Sequence, residues 1–210
     1  MRNATRNSSI FRLGIVAGVP WSNLSTLFAL QRAQEPQATI AVIEVSDAEL
    51  IEGLLEGRYH AGMSLHRASA PSLCSTPLWQ ENMALVIPLR SPLLARAKLK
   101  ISDLQHYPVL RWPAETCPLL DQRMSSVLPG LRPDGPKVAS FEMMALWVAA
   151  GYGVGVTAQS RITRALAWGL CMRPLSETEP YEIVTHLLRP TSCSVSERFE
   201  RRALQIDVGN

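Results

Sequence analysis

No apolar run in this chain reaches the roughly 18–20 residues needed to span a bilayer. The longest, Met143–Val156, is interrupted by Gly151, Gly153 and Gly155 and reads as a buried helix followed by a strand. Cysteine is scarce and scattered. Cys74, Cys117, Cys171 and Cys193 form neither a CxxC nor a Cys/His cluster, so neither zinc nor a disulfide framework is indicated. Free thiols of a cytosolic protein fit this usage. Lysine is nearly missing: Lys98, Lys100 and Lys137 stand alone among 21 basic residues, the rest being arginine. The arginines are dispersed, with the tightest group at Arg198, Arg201 and Arg202. A basic patch interleaved with aromatics, the footprint of nucleic-acid binding, is not present. The start, MRNATRNSSIFRL, lacks the apolar core and small-residue cleavage site of a signal peptide. Residues 1–9 read as a polar leader or a remnant linker, and the location expected is cytoplasmic.

Catalytic signatures are absent too. There is no GxSxG elbow, no HExxH and no Cys–His pair in suggestive context. The carboxylate pairs Glu49/Glu52 and Glu177/Glu179 fall on solvated faces or loops. Binding without chemistry is the expectation, with no catalytic residue, metal or cofactor.

What is present suits folded cores: 210 residues, 47% hydrophobic, with a net charge of +3. Arg12–Ala17 reads as a strand, and Trp21–Gln34 as a helix by the spacing of Trp21, Leu24, Leu27, Phe28 and Leu30. Pro36 ends that helix. Thr39–Val45 (TIAVIEV) is almost wholly apolar, the pattern of a strand buried on both faces. Ser46-Asp47-Ala48-Glu49 spells a capping box ahead of a helix that Gly57 closes. His60–Leu65 is a third strand. This β-α-β-α-β order predicts a parallel sheet covered by helices, with ligands at the carboxyl ends of the strands.

Strands Leu73–Trp79 and Met83–Pro88 follow, then a loop-like Ser91–Ile101. Tyr107–Arg111 opens a second βα series, with a helix near Leu119–Val127 and a turn-rich connector at Pro129–Lys137. Beyond it lie a short helix near Gln159–Leu166 and strands near Leu170–Pro174 and Glu182–Leu188. A last helix has a second capping box at Ser194 and Glu197 and a face of Val195, Phe199, Ala203 and Ile206. Two βα series of similar size predict two lobes, and clefts between lobes favour small ligands.

The stretch VASFEMMALWVAAGYGVGVT (Val138–Thr157) carries most information. Its glycines lack GxGxxG spacing and lie after a helix and before a strand, the reverse of a dinucleotide fingerprint. They predict a left-handed helix end at Gly151 and a tight entry to the next strand. The polar end is Ser140, which caps the helix. The N–H groups of Phe141 and Glu142 either face a ligand there or serve only the helix itself.

This stretch resembles the strand–Ser–helix–VAAGxGI signature of the effector-binding domain of LysR-type transcriptional regulators. FRLGIVAGVPWSNL, EVSDAELIEGLLEGRYHAGMSL and TPLWQENMALVIPLRSPLLA resemble three further family segments in register, so the similarity covers roughly residues 10–206. His60 replaces a usual Asp, and Ser91 a frequent His. The resemblance implies a periplasmic-binding-protein-like type II α/β fold: two Rossmann-like lobes joined by two crossover strands, Met83–Pro88 and Ile183–Leu188. Lobe I would be 10–81 plus 190–208, and lobe II 82–189. It also implies a small-molecule effector and a homodimer or tetramer, formed through the first helix and its neighbouring strand against the final or lobe II helix of the partner. DNA would be contacted only through an N-terminal winged helix-turn-helix that this sequence does not contain. A stand-alone solute-binding protein of a transporter is the alternative, and a two-lobed enzyme a more distant one.

Carried over by position, the resemblance puts the effector cleft at Gly18, Val19, Pro20 and Trp21, at Ser46 and Asp47, at Leu65 and His66, at Arg111, Thr116 and Cys117, and at Ser140 and Phe141. Asp47 stands where Thr is frequent and disfavours a simple dianion. Trp21 and Trp112 either stack on a partly apolar or cationic effector or pack between lobes. Arg111 is either a carboxylate clamp or a surface arginine. For His66, hydrogen bonding at the hinge is the expectation.

Overall fold

Strand β1 (Ile10–Val16) pairs in parallel with both β2 (Thr39–Val45) and β3 (Ala61–Ser64), and the intervening helices α1 (Leu24–Gln34) and α2 (Asp47–Leu55) cover the sheet. The chain then runs through β4 (Leu73–Pro88), β5 (Val109–Leu110), α3 (Pro118–Val127), α4 (Phe141–Ala149), β6 (Val154–Ala158), α5 (Gln159–Ala165), β7 (Leu170–Pro174), β8 (Glu182–Pro190) and α6 (Ser194–Ala203). This computed structural model describes residues 10–97, 99–127, 136–175 and 182–206. The leader 1–9, most of the connector at 129–137, the Glu177/Glu179 pair and residues 207–208 lie outside the described residues. No described helix is long and apolar enough to cross a membrane.

The strands form one sheet in the order β2-β1-β3-β8-β4-β6-β5, with β7 also paired to β4. Strand β4 links the halves. Residues 73–82 pair with β8, and residues 83–88 pair with β6 and β7, all antiparallel. Sequence reading divides β4 in two at the polar Gln80-Glu81-Asn82. The structure keeps it continuous because those residues pair with Glu182–Val184 of β8. The register slips between Pro77 and Trp79, leaving Leu78 as an extra residue, and proline, which lacks an N–H, is tolerated beside such a bulge. Within β8, residues 182–190 pair with β3 and with the first part of β4.

Strand β2 corrects an expectation. TIAVIEV is not buried on both faces but forms the sheet edge, with Val42 and Ile43 exposed. The buried apolar set is instead supplied by β1 (Phe11, Leu13, Ile15), β3 and the middle of β4 (Leu85, Val86, Ile87). The second capping box is also not formed. Cys193 occupies the N-cap of α6 without a side-chain cap, and Glu197 lies 3.6 Å from Arg189 instead. Helix α6 buries Phe199 and Ala203 as expected from its spacing. It also buries Arg202, which donates to Gln31 Oε1 (2.7 Å), Gln34 Oε1 (2.8 Å) and Glu35 Oε1 (2.7 Å) on α1. Burial would push the Glu35 carboxyl up. Its hydrogen bonds with Arg198, Arg202 and Gln31 outweigh that and hold its pKa at about 2.

The glycine turn after α4 matches its reading. Gly151 has φ +82°, its N–H bonds Val148 O (2.9 Å), and the Tyr152 N–H bonds Trp147 O (3.0 Å). That is the paired pattern of a Schellman motif, and its usual apolar contact is the Trp147–Tyr152 ring pair, with centroids 5.1 Å apart. Gly153 is needed for space: a β-carbon there would stand 2.5 Å from Pro108 O.

Candidate functional site

Helix α4 is aimed by a short backbone relay. Arg111, just beyond β5, bridges Lys137 in parallel, and the Val138 N–H bonds Arg111 O at 2.8 Å. Two residues later Ser140, in extended conformation, accepts from the Met143 N–H at 3.1 Å and starts the helix. The opposite wall comes from the β1–α1 turn, where Val19 N–H bonds Val16 O (3.1 Å) and Trp21 stands 55% exposed.

Between these walls lies a cavity of about 250 Å³. Trp21, Ser22 and Glu44 line it from the first half of the sheet. Trp112, Ser140, Phe141 and the α5 arginines Arg161 and Arg164 line it from the second, with Trp168 just beyond α5. The two arginines span the junction. Arg161 Nη2 donates to Val19 O (2.6 Å), and Arg164 Nη2 donates to Ser22 O (3.0 Å). The Arg161 guanidinium carbon sits 5.6 Å from the Trp112 ring centroid and 5.9 Å from that of Phe141, and Phe141 stacks with Trp168 at 6.3 Å. Burial pushes the Arg161 pKa below the ordinary arginine value, against the opposing influence of Glu142, Cys117, Glu44 and Glu81.

Of the residues anticipated from sequence, Trp21, Ser140 and Phe141 meet at this cavity, joined by Trp112. Gly18, Leu65 and Cys117 also come together, but in direct packing: a β-carbon on Gly18 would lie 2.4 Å from Cys117 Sγ and 3.4 Å from Leu65 Cδ1. Val19 is fully buried and contributes its carbonyl; Pro20 is buried beside it. Ser46 caps α2 by accepting from the Glu49 N–H (3.2 Å), while Glu49 turns to Tyr59 Oη (3.1 Å), so only half of that capping box forms. Asp47 has both oxygens engaged within its own half. Oδ1 accepts from Ser64 Oγ (2.5 Å), and Oδ2 lies 3.2 Å from Nδ1 of His66, the partner that sequence reading did not supply. Thr116 donates to Pro113 O (3.3 Å).

Arg111 is neither a surface residue nor free to clamp a ligand. It is buried, and its Nη2 is committed to Asp121 and Ser125 on α3. Sequence reading missed Arg161, Arg164 and Trp168. The available signal was position, since Gln159–Arg161 follows the carboxyl end of β6, the edge where ligands collect in such sheets. The Cys117 thiol is pushed up to about 12 by burial, which keeps it protonated and poorly nucleophilic. Among the described residues no group of three or more His, Cys, Asp or Glu could hold a metal ion.

A two-lobed α/β chain with a small cavity at the junction belongs to the periplasmic-binding-protein-like class of ligand-binding folds. Residues 4–202 match the LysR substrate binding domain, and the chain belongs to that family. A curated relative, the probable cat1 operon transcriptional activator of Acinetobacter lwoffii, is 26% identical over 134 residues. That match covers 61% of this chain and 44% of the relative, so the chain spans less than half of its length. Among solved structures, the BenM effector binding domain with its effector benzoate superposes with a TM-score of 0.78 at 21% identity, covering 94% of this chain and 90% of that one. The reduced form of OxyR from N. meningitidis gives 0.80 at 18% identity, covering 93% and 94%. At these identities the structural likeness speaks to the fold. The family match favours a regulator's effector domain over the solute-binding protein of a transporter.

Proposed function

We propose that this chain is the effector-sensing domain of a cytoplasmic, LysR-type bacterial transcriptional regulator, with a small molecule bound in the cleft between lobe I (10–81 plus 190–208) and lobe II (82–189). The observation that carries the proposal is the pair of arginine crossings. Arg161 and Arg164 line the cavity from one half and hold carbonyl oxygens of the β1–α1 turn in the other. A ligand in the cavity therefore acts on the groups that tie the halves together. If it prefers one arrangement it shifts the population toward that arrangement; with equal affinity for both it shifts nothing. The DNA response would pass to a winged helix-turn-helix outside this sequence. The relative's description as a transcriptional activator and the benzoate of the BenM domain support this reading.

A thermal-shift screen of small acids, amines and aromatics tests it, since a ligand that binds only the native state must raise the midpoint. Ser140→Trp, which fills the cavity wall, is expected to abolish the shift given by a wild-type hit. Equal shifts in the two proteins would put the site elsewhere.

The proposal extends to a homodimer or tetramer. Strand β2 at the sheet edge and helix α4 on the far half both present apolar side chains to solvent, with Val42 on the first and Leu146 (62% exposed) and Trp147 on the second. A two-fold partner arranged antiparallel covers both patches at once. Leu146→Glu is expected to convert the oligomer to monomer in light scattering, and an unchanged mass would remove α4 from the interface.

A further inference from the structure

Three polar side-chain atoms beside the cavity have no hydrogen-bond partner: Trp112 Nε1, Ser160 Oγ and Arg161 Nε are shielded just behind its wall, which the same residues line with other atoms. Indole and guanidinium nitrogens only donate, so no rearrangement among these two groups can satisfy them. Leaving such groups unpaired costs about 1–3 kcal/mol each. Among the described residues no carboxylate lies within ion-pair distance of Arg161, and its recorded hydrogen bond is the one to Val19 O. Trp112 and Phe141 flank its guanidinium, which keeps it in place while leaving in-plane N–H groups for an acceptor. The capped start of α4 at Ser140 adds a second positive pole on the same wall.

Resting on the effector-sensing reading above, we infer that the ligand is a one- or two-ring aromatic monocarboxylate whose acid group pairs with Arg161. The rings follow from the wall, where Trp21, Trp112, Phe141 and Trp168 supply aromatic surface. The size follows from the volume: about 250 Å³ is just below the roughly 300–1,000 Å³ of drug-sized sites. The single charge follows from Glu44 and Glu142, both exposed at the cavity, which disfavour a second acid group; among the described residues neither forms an ion pair with Arg161. A single charge also agrees with the expectation that Asp47 disfavours a dianion, although Asp47 itself is occupied by Ser64 and His66.

The test uses probes matched in shape and differing in charge: benzoate and indole-3-acetate, their amides benzamide and indole-3-acetamide, and the amines benzylamine and tryptamine. Affinities are measured by calorimetry on wild type, Arg161→Gln, Arg161→Lys and Ser140→Trp. At least one acid is expected to bind wild type roughly tenfold or more tighter than its amide, the scale of a lost charge-assisted hydrogen bond. Arg161→Gln should remove that preference, and Arg161→Lys should restore part of it, since lysine keeps the charge and loses the fork. The wild-type comparison of acid with amide stands even if an Arg161 variant folds poorly. Failure of both acids to bind, an amide within about threefold of its acid, or an acid affinity unaltered in Arg161→Gln would overturn the inference. An amide or amine that binds wild type at least as well as its acid, and is lost in Ser140→Trp, overturns the charge assignment while keeping the cleft. A probe that binds Ser140→Trp as tightly as wild type overturns the cleft as well.

Discussion

Replacing Asp121 with alanine is expected to destabilise the protein by about 3–5 kcal/mol, the cost of leaving a buried arginine without its partner. The Arg111 and Asp121 side chains are only 7% and 18% exposed, and they join the strand that leads into the cavity to helix α3. Arg111 Nε is already unpartnered and shielded, so its Nη2 contacts are what compensate the charge. Chemical denaturation of Asp121→Ala should show a lower midpoint with an unchanged slope. A change below about 1 kcal/mol would mean that water reaches the pair and that it behaves as a surface ion pair. The double substitution Arg111→Met, Asp121→Leu should recover most of the loss, because an apolar pair of similar volume carries no uncompensated charge. Arg111 also carries the backbone bridge to Lys137 and the bond from Val138. The pair therefore anchors the backbone that leads to Ser140, and with it one wall of the cavity.

Legibility from sequence followed the range of the interactions. Ser140 and Ser46 at helix starts and the glycine end of α4 are set by neighbours within a few residues, and pattern alone revealed them. Motifs in register likewise carried the family. Edge placement was hidden because it depends on strand order: TIAVIEV would suit the middle of a sheet, but among the described residues no strand lies beyond β2, and Val42 and Ile43 are exposed. The continuity of β4 was hidden for the same reason, since Glu182–Val184 on a distant strand pair with its polar interruption.

At the cavity the same division holds. Segments at the carboxyl ends of β1 and before α4 could be anticipated from the alternation of strands and helices. The identity of the charged group could not. Arg111 and Arg161 look alike in the sequence, each near the carboxyl end of a strand. Asp121, one turn into α3, neutralises the first. The second has aromatic rings on its flanks and a carbonyl from the opposite lobe.

The contact behind the cavity gives the second large effect. Gly18 has φ +118°, a region that costs a side-chain-bearing residue about 1–3 kcal/mol. A β-carbon there would also stand 2.4 Å from Cys117 Sγ across the junction. Gly18→Ala is therefore expected to cost about 2–4 kcal/mol in total, strain plus overpacking. The two parts separate in a Cys117→Ala background, where the sulfur is gone and backbone strain remains with only the milder 3.3 Å approach of Leu120 Cδ1. The cost of Gly18→Ala should fall there by about 1–2 kcal/mol, a coupling in the range seen for touching residues. Equal costs in both backgrounds would show that this contact does not set the spacing of the lobes. Val19, the next residue, holds Arg161 through its carbonyl. Wedging Gly18 away from Cys117 therefore moves the acceptor that aligns the cavity's arginine. Ligand response and unfolding midpoint should fall together in Gly18→Ala, and Cys117→Ala should restore part of both.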